Sequence, residues 1–185
     1  QMVFSSSDSP PSRTTNTSRL PCYTVHMNNI KFTHELIKGK IAEIIFEQMI
    51  HNTKGYTVLE FGYEKVVHQL AKAPKSEDAR AMIEIVRKAP DYAIVNEDTH
   101  NVTLVEIKYM AKRTNGKVHA IAKEIEISWR HAALFIATPD GFFYDQVDTI
   151  IENKGAIKPF HHGKIQPKLV EQYLAMLNEF ISVKE

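Results

Sequence analysis

The chain has little of several features that would narrow its class. Its 185 residues include one cysteine, Cys22, so neither an intrachain disulfide framework nor a multi-cysteine zinc site can form within it. No apolar run approaches the roughly 18 residues of a membrane-spanning helix, and no signal-peptide hydrophobic region is visible. The net charge is +1, so any nucleic-acid surface has to be a local patch. These absences predict a cytoplasmic protein without a membrane partner.

The composition predicts one folded domain with a tail. A hydrophobic content of 43% and a charged content of 24% are ordinary for a globular protein of this length. Residues 1–20 are rich in Ser, Thr, Pro and Asn, and such a segment cannot bury enough apolar surface to order itself. We therefore expect a disordered tail at 1–20 and a single domain at 21–185. The sequence begins at Gln1 rather than Met, which leaves the natural N-terminus open.

Hydrophobic periodicity predicts alternating helices and strands. The predicted helices run from Thr33, as a capping residue, to Ile50, from Lys65 to Lys72, from Glu77 to Arg87, from Lys117 to Ser128 and from Pro167 to Val183. The predicted strands are Tyr56 to Tyr63, Tyr92 to Val95, Val102 to Tyr109 and His131 to Thr138. Helices before and after mixed strands indicate an α/β fold, a three-layer α/β/α arrangement with a central mixed sheet.

Two of these strands form a predicted hairpin around the polar turn cluster 96–101. A turn centred on 98–99 pairs residues whose numbers sum to 197, which places Asp91 opposite Glu106. Side chains alternate along a strand, so Lys108 shares a face with Glu106. Two carboxylates so close repel each other unless a cation lies between them, and oxygen ligands suit Mg²⁺ or Mn²⁺.

The first predicted helix carries an acid in an unusual place. Its second apolar stripe contains Leu36, Gly39, Phe46 and Ile50, and Glu43 falls inside that stripe. A helix that is apolar on two sides is largely buried, so Glu43 is a carboxylate in an unusual place. The alternative is that Glu43 simply reaches the surface at the edge of the core.

Pro90-Asp91, Glu106-Ile107-Lys108 and the helix segment 39–47 together resemble the PD-(D/E)XK nuclease superfamily. The resemblance implies the restriction-endonuclease-like fold over roughly residues 34–145. It also implies that Asp91 and Glu106 hold Mg²⁺, with Mn²⁺ as a substitute and the Ile107 carbonyl as a further ligand. Lys108 would orient the attacking water and offset charge on the phosphate. Glu43 would assist a water on the ion or hold a second ion.

Basic residues after the hairpin are candidates for nucleic-acid binding. The loop residues Lys112 and Arg113, with Lys117, emerge after Lys108 and could contact phosphates, which gives affinity without base readout. A solvated charged face explains them equally well. Glu60 and Glu64 share a face of the first strand, and either could line the cleft.

The leading hypothesis is a Mg²⁺-dependent nuclease that hydrolyses DNA phosphodiester bonds, led by DNA structure or nonspecific. Duplex ends, nicks, branched junctions and specific sites all stay open as substrates. Two sites are needed to cut both strands of a duplex, so a homodimer is an expectation that the sequence does not prove. One alternative is a noncatalytic module that binds nucleic acid or protein and retains the nuclease fold. Another is an unrelated α/β interaction protein in which the motif is accidental.

Overall fold

The computed structural model describes residues 23–61 and 77–182, and the predictions for 1–20, for the helix at 65–72 and for Glu64 lie outside them. The helices are α1 Tyr23–His51, α2 Glu77–Arg87, α3 Asn115–Trp129, α4 Val147–Glu152 and α5 Pro167–Ile181. The strands are β1 Tyr56–Glu60, β2 Tyr92–Asn96, β3 Val102–Tyr109, β4 Ala133–Thr138 and β5 Gly141–Gln146.

The five strands form one mixed sheet in the order β1-β2-β3-β4-β5. Neighbouring strands are antiparallel except β3 and β4, which are parallel. The parallel pair needs a crossover of a dozen or more residues, and the segment that contains α3 supplies it. The predicted α/β class with a mixed sheet is therefore confirmed.

Helices cover both faces of this sheet because its strand β4 is apolar on both sides. All six residues of β4 are buried. Phe135 points into a core formed with α1 and α5, where Phe46 and Leu177 are fully buried. Leu134 and Ile136 point into a second core formed with α3 and α4. A strand buried on both faces reads as a continuous apolar run, which is what the sequence shows here.

Two predicted boundaries differ from those in the structure by three residues or more. The first helix begins at Tyr23 rather than at Thr33, because the preceding ten residues contain neither Gly nor Pro and nothing local stops the helix. The first strand ends at Glu60, short of the predicted Tyr63. Its partner β2 begins only at Tyr92, after Pro90, which has no N–H to offer a ladder.

The described residues contain no candidate membrane span. None of the helices within 23–61 and 77–182 combines the length and the apolar character that crossing a bilayer requires.

Gly155 has a conformation and a contact that other residues would not tolerate. Its φ is +87°, and a Cβ built there would lie 1.9 Å from the carbonyl oxygen of Asn115 at the start of α3. We therefore expect Gly155→Ala to lower the free energy of unfolding by about 2–4 kcal/mol. Chemical denaturation measures the change.

Gly39, inside α1, is the matched control. A Cβ at Gly39 would have no heavy atom within 4 Å, so Gly39→Ala should raise the free energy of unfolding by about 0.5–1 kcal/mol. Equal effects from the two substitutions would contradict the packing of Gly155 against α3.

Candidate active site

The turn of the β2–β3 hairpin is held by hydrogen bonds within the polar cluster 96–101. The side-chain oxygen of Asn96 accepts hydrogen bonds from the N–H groups of Asp98 at 3.0 Å and Thr99 at 3.1 Å. His100 has a positive φ of 57° and donates its N–H to the Asn96 carbonyl at 2.8 Å. Such side-chain bonds to the backbone are the reason Asn favours turns. They set the residue at which the chain reverses.

The register of the hairpin is the predicted one. Tyr92 pairs with Val105 and Val95 with Val102, so paired numbers sum to 197. Tyr92 and Val105 are both buried in the core beneath α1. One step further along, Asp91 lies opposite Glu106 on the other face, because side chains alternate along each strand. Lys108 shares that face with Glu106.

Asp91 also caps the ladder at the point where β2 begins. Its Oδ2 accepts a hydrogen bond from the Ile107 N–H at 2.7 Å, in the place where a strand carbonyl would otherwise stand. The Ile107 side chain is buried in the core. This bond fixes the Asp91 carboxylate beside β3, and it gives Asp91 a structural role in addition to any chemical one.

The four residues predicted to be catalytic line one cleft. Asp91, Glu106 and Lys108 come from the end of the hairpin, and Glu43 comes from α1. The cleft has a volume of about 670 Å³ and lies between α1, the end of α2 and α3. Its other lining residues are Leu36, Lys40, Glu60, Arg87, Lys88, Ala89, Tyr92, Ile121, Glu124 and Ile125.

Ion pairs and burial set the protonation of the site. Burial, followed by the charge of Glu106, raises the pKa of Asp91 from 3.8 to about 7, although the Ile107 N–H and Lys108 act in the opposite direction. Lys108 lies 2.5 Å from Glu106. Burial acts to lower the pKa of Lys108, but Glu106, Asp91 and Glu43 outweigh it and raise that pKa. Lys108 is therefore a persistent cation beside clustered acids.

The donor set of the cleft fits a divalent cation that substrate would help to hold. Within residues 23–61 and 77–182, no three His, Cys, Asp or Glu side chains form a ready-made ion site. Mg²⁺ usually takes only one or two protein carboxylates and completes its octahedron with water and substrate phosphates. Asp91 and Glu106 supply two such carboxylates on one face, and Glu43 lines the same cleft. The Ile107 carbonyl stays a prediction.

The structure does not bring the predicted nucleic-acid contacts into this cleft. The Arg113 guanidinium lies over the Phe143 ring, 4.2 Å from its centre. Phe143 pairs with Ile136, which pairs with Lys108, so Phe143 is two strands away from the site. Lys112 and Lys117 are exposed near the start of α3. Their binding role stays a prediction.

Sequence reasoning missed several residues of the cleft. Arg87 and Lys88 lie at the end of α2 and line the cleft. Their position in the sequence, just before Ala89-Pro90-Asp91, could have indicated that they lie near Asp91. Ile121 and Glu124 of α3 line the opposite wall, and no local pattern indicated that. Of the two strand acids considered, Glu60 lines the cleft, and Glu64 lies outside the described residues.

The chain was compared with family models, with curated proteins and with solved structures, and nothing matched. The interpretation of the cleft therefore depends on its own geometry and charge.

The raised pKa of Asp91 gives a test by stability. The folded state binds the Asp91 proton more tightly than the unfolded chain does, so wild-type stability should fall as the pH rises from about 4 to about 7. Asn at this position cannot ionise and keeps an oxygen for the Ile107 N–H. We expect Asp91→Asn to be more stable than wild type by about 1–3 kcal/mol at pH 8, with a smaller advantage at pH 5.

Urea denaturation from pH 4 to pH 8 measures this difference. Asp140→Asn, an exposed aspartate in the β4–β5 turn, should follow the wild-type curve. An Asp91→Asn variant that is less stable than wild type at every pH would contradict the charge crowding in the cleft.

Proposed function

We propose that the protein is a divalent-metal-dependent nuclease that hydrolyses DNA phosphodiester bonds, with a restriction-endonuclease-like arrangement of its sheet and helices. The observation that carries the proposal is the convergence of Asp91, Glu106 and Lys108 on one face of the hairpin end, inside a cleft. Hydrolysis of a phosphodiester has to stabilise added negative charge and to generate a nucleophile near neutral pH. A bound Mg²⁺ or Mn²⁺ would supply both.

The acids divide into two positions around the cleft. Asp91 and Glu106 lie opposite each other on neighbouring strands and would hold the ion, with the Ile107 carbonyl as a further ligand. Burial and the charge of Glu106 raise the pKa of Asp91 to about 7, so a cation bound beside Asp91 would favour its ionised form. Glu43 approaches from α1, where Lys40 contacts it at 2.7 Å, and assists from the other wall.

Lys108 provides a fixed ammonium beside the reacting phosphate. Its pKa is raised by the surrounding acids, so it stays protonated across the physiological range. A preorganised cation in a partly buried site stabilises the charge that develops in the transition state. Lys108 also donates hydrogen bonds that can orient the attacking water. Lys112, Arg113 and Lys117 contact phosphates further along the DNA.

The proposed reaction also implies a partner, a location and an oligomeric state. DNA is the partner, the location is cytoplasmic, and a second copy of the chain supplies the second site when both strands of a duplex are cut. The substrate is recognised by its backbone or its structure rather than by a base sequence.

Cleavage assays test the proposal directly. Linear, nicked, branched and single-stranded DNA are each incubated with Mg²⁺ or Mn²⁺. We expect wild-type protein to cut at least one of them, and Asp91→Asn and Lys108→Ala each to lose on the order of 100-fold or more in rate. Asp91→Asn keeps the acceptor for the Ile107 N–H, so its loss would report on charge rather than on folding.

Lys54→Ala is the control, because Lys54 lies in the turn before β1 and does not line the cleft. The Lys54→Ala protein should cut DNA at the wild-type rate. The preparation of Asp91→Asn also controls for contaminating nucleases. Wild-type protein that binds DNA but cuts none of these substrates would support the noncatalytic module instead. Equal cutting by wild type and Asp91→Asn would reject the assigned site.

A further inference from the structure

The four cations that line the cleft differ in what neutralises them. Lys40 pairs with Glu43 at 2.7 Å, Lys108 with Glu106 at 2.5 Å, and Arg87 with Glu84 at 2.8 Å. Lys88 is exposed and forms no ion pair with any carboxylate in the described part of the chain. Lys88 can therefore accept an anionic ligand without giving up an existing partner.

The position of Lys88 relative to Asp91 is fixed by the backbone between them. The N–H groups of Lys88 and Ala89 donate to the carbonyls of Ile85 and Val86, both at 3.1 Å, and these bonds close the last turn of α2. Pro90 is buried and has a restricted φ, and a residue before proline is held in extended conformations. Asp91 is three residues after Lys88 in the chain, so their Cα atoms lie at most about 10 Å apart.

The cleft needs attraction outside its acid pair. Its lining contains five acids, Glu43, Glu60, Asp91, Glu106 and Glu124, against four bases. A nucleic-acid backbone is itself anionic, so before the ion binds, the acids repel it. An exposed lysine on the α2 side of the cleft opposes that repulsion without perturbing the acids that hold the ion.

We infer that Lys88 is a positioning residue that binds a non-scissile phosphate next to the one hydrolysed between Asp91 and Glu106. This role rests on the proposed nuclease function and deepens it. The ligand is the phosphodiester backbone of a nucleic acid, held by charge and without base readout. Lys88 holds the nucleic-acid strand along the α2 side of the cleft, while Lys108 contacts the phosphate that reacts.

A purely structural role for Lys88 would have a different signature. A cation after the last turn of a helix interacts favourably with its C-terminal carbonyls. Loss of that interaction would lower stability but would leave the salt dependence of DNA binding unchanged. Binding and stability therefore separate the two roles.

Binding is measured on the Asp91→Asn protein, in which cleavage is expected to be slowed on the order of 100-fold or more, with fluorescently labelled DNA in Mg²⁺ over a series of salt concentrations. In this background, we expect Lys88→Ala to weaken DNA binding about 5–20-fold at 0.1 M salt. The slope of the logarithm of the binding constant against the logarithm of the salt concentration should become shallower by about 1. Adding Lys88→Arg should restore both. Lys168→Ala, at the start of α5 and outside the cleft residues, is the control and should change neither.

Kinetics on the cutting protein give the second readout. Lys88→Ala should raise KM about 5–20-fold and leave kcat within about 3-fold, since it removes binding rather than chemistry. An unchanged salt slope, or a fall in kcat at constant KM, would overturn the role of Lys88. Wild-type protein that cuts nothing would reject the nuclease proposal separately, and the salt slope would still decide whether Lys88 binds phosphate.

Discussion

The pairing of β2 with β3 is the constraint on which the rest of the site depends. Because side chains alternate along a strand, a slip of one residue in this register would send Glu106 and Lys108 to the face covered by α1. Two sets of bonds hold the register, one at each end. Asn96 organises the turn, and Asp91 accepts the Ile107 N–H where β2 begins. The pairing of two neighbouring strands thus places the candidate cleft.

The charge pattern of the cleft is unfavourable for folding and favourable for binding a cation. Burial, followed by the charges of Glu106 and Glu43, raises the pKa of Asp91 to about 7. Lys108 offsets only part of the negative charge. A fold selected for stability alone would replace Asp91 with a neutral acceptor for Ile107. A positively charged ligand, such as the proposed metal ion, would favour the ionised form of that carboxylate.

Local patterns in the sequence predicted the parts of the fold that local chemistry determines. The polar cluster 96–101 and the alternating residues beside it predicted the hairpin and its register, and the continuous apolar run predicted β4. The start of α1 escaped prediction because Thr33, a residue that often caps helices, is also tolerated inside one, and no Gly or Pro in residues 23–32 stops the helix. The walls formed by α2 and α3 escaped it as well, because their approach to Asp91 depends on packing between distant segments.

Anomalous diffraction from crystals soaked in Mn²⁺ tests the central claim most directly. The account predicts one peak in the cleft, with carboxylate oxygens of both Asp91 and Glu106 at about 2.0–2.3 Å, and no peak in crystals of Asp91→Asn. Mn²⁺ bound outside the cleft would contradict the account. So would Mn²⁺ bound by Asp91 alone while Lys108 keeps its ion pair with Glu106.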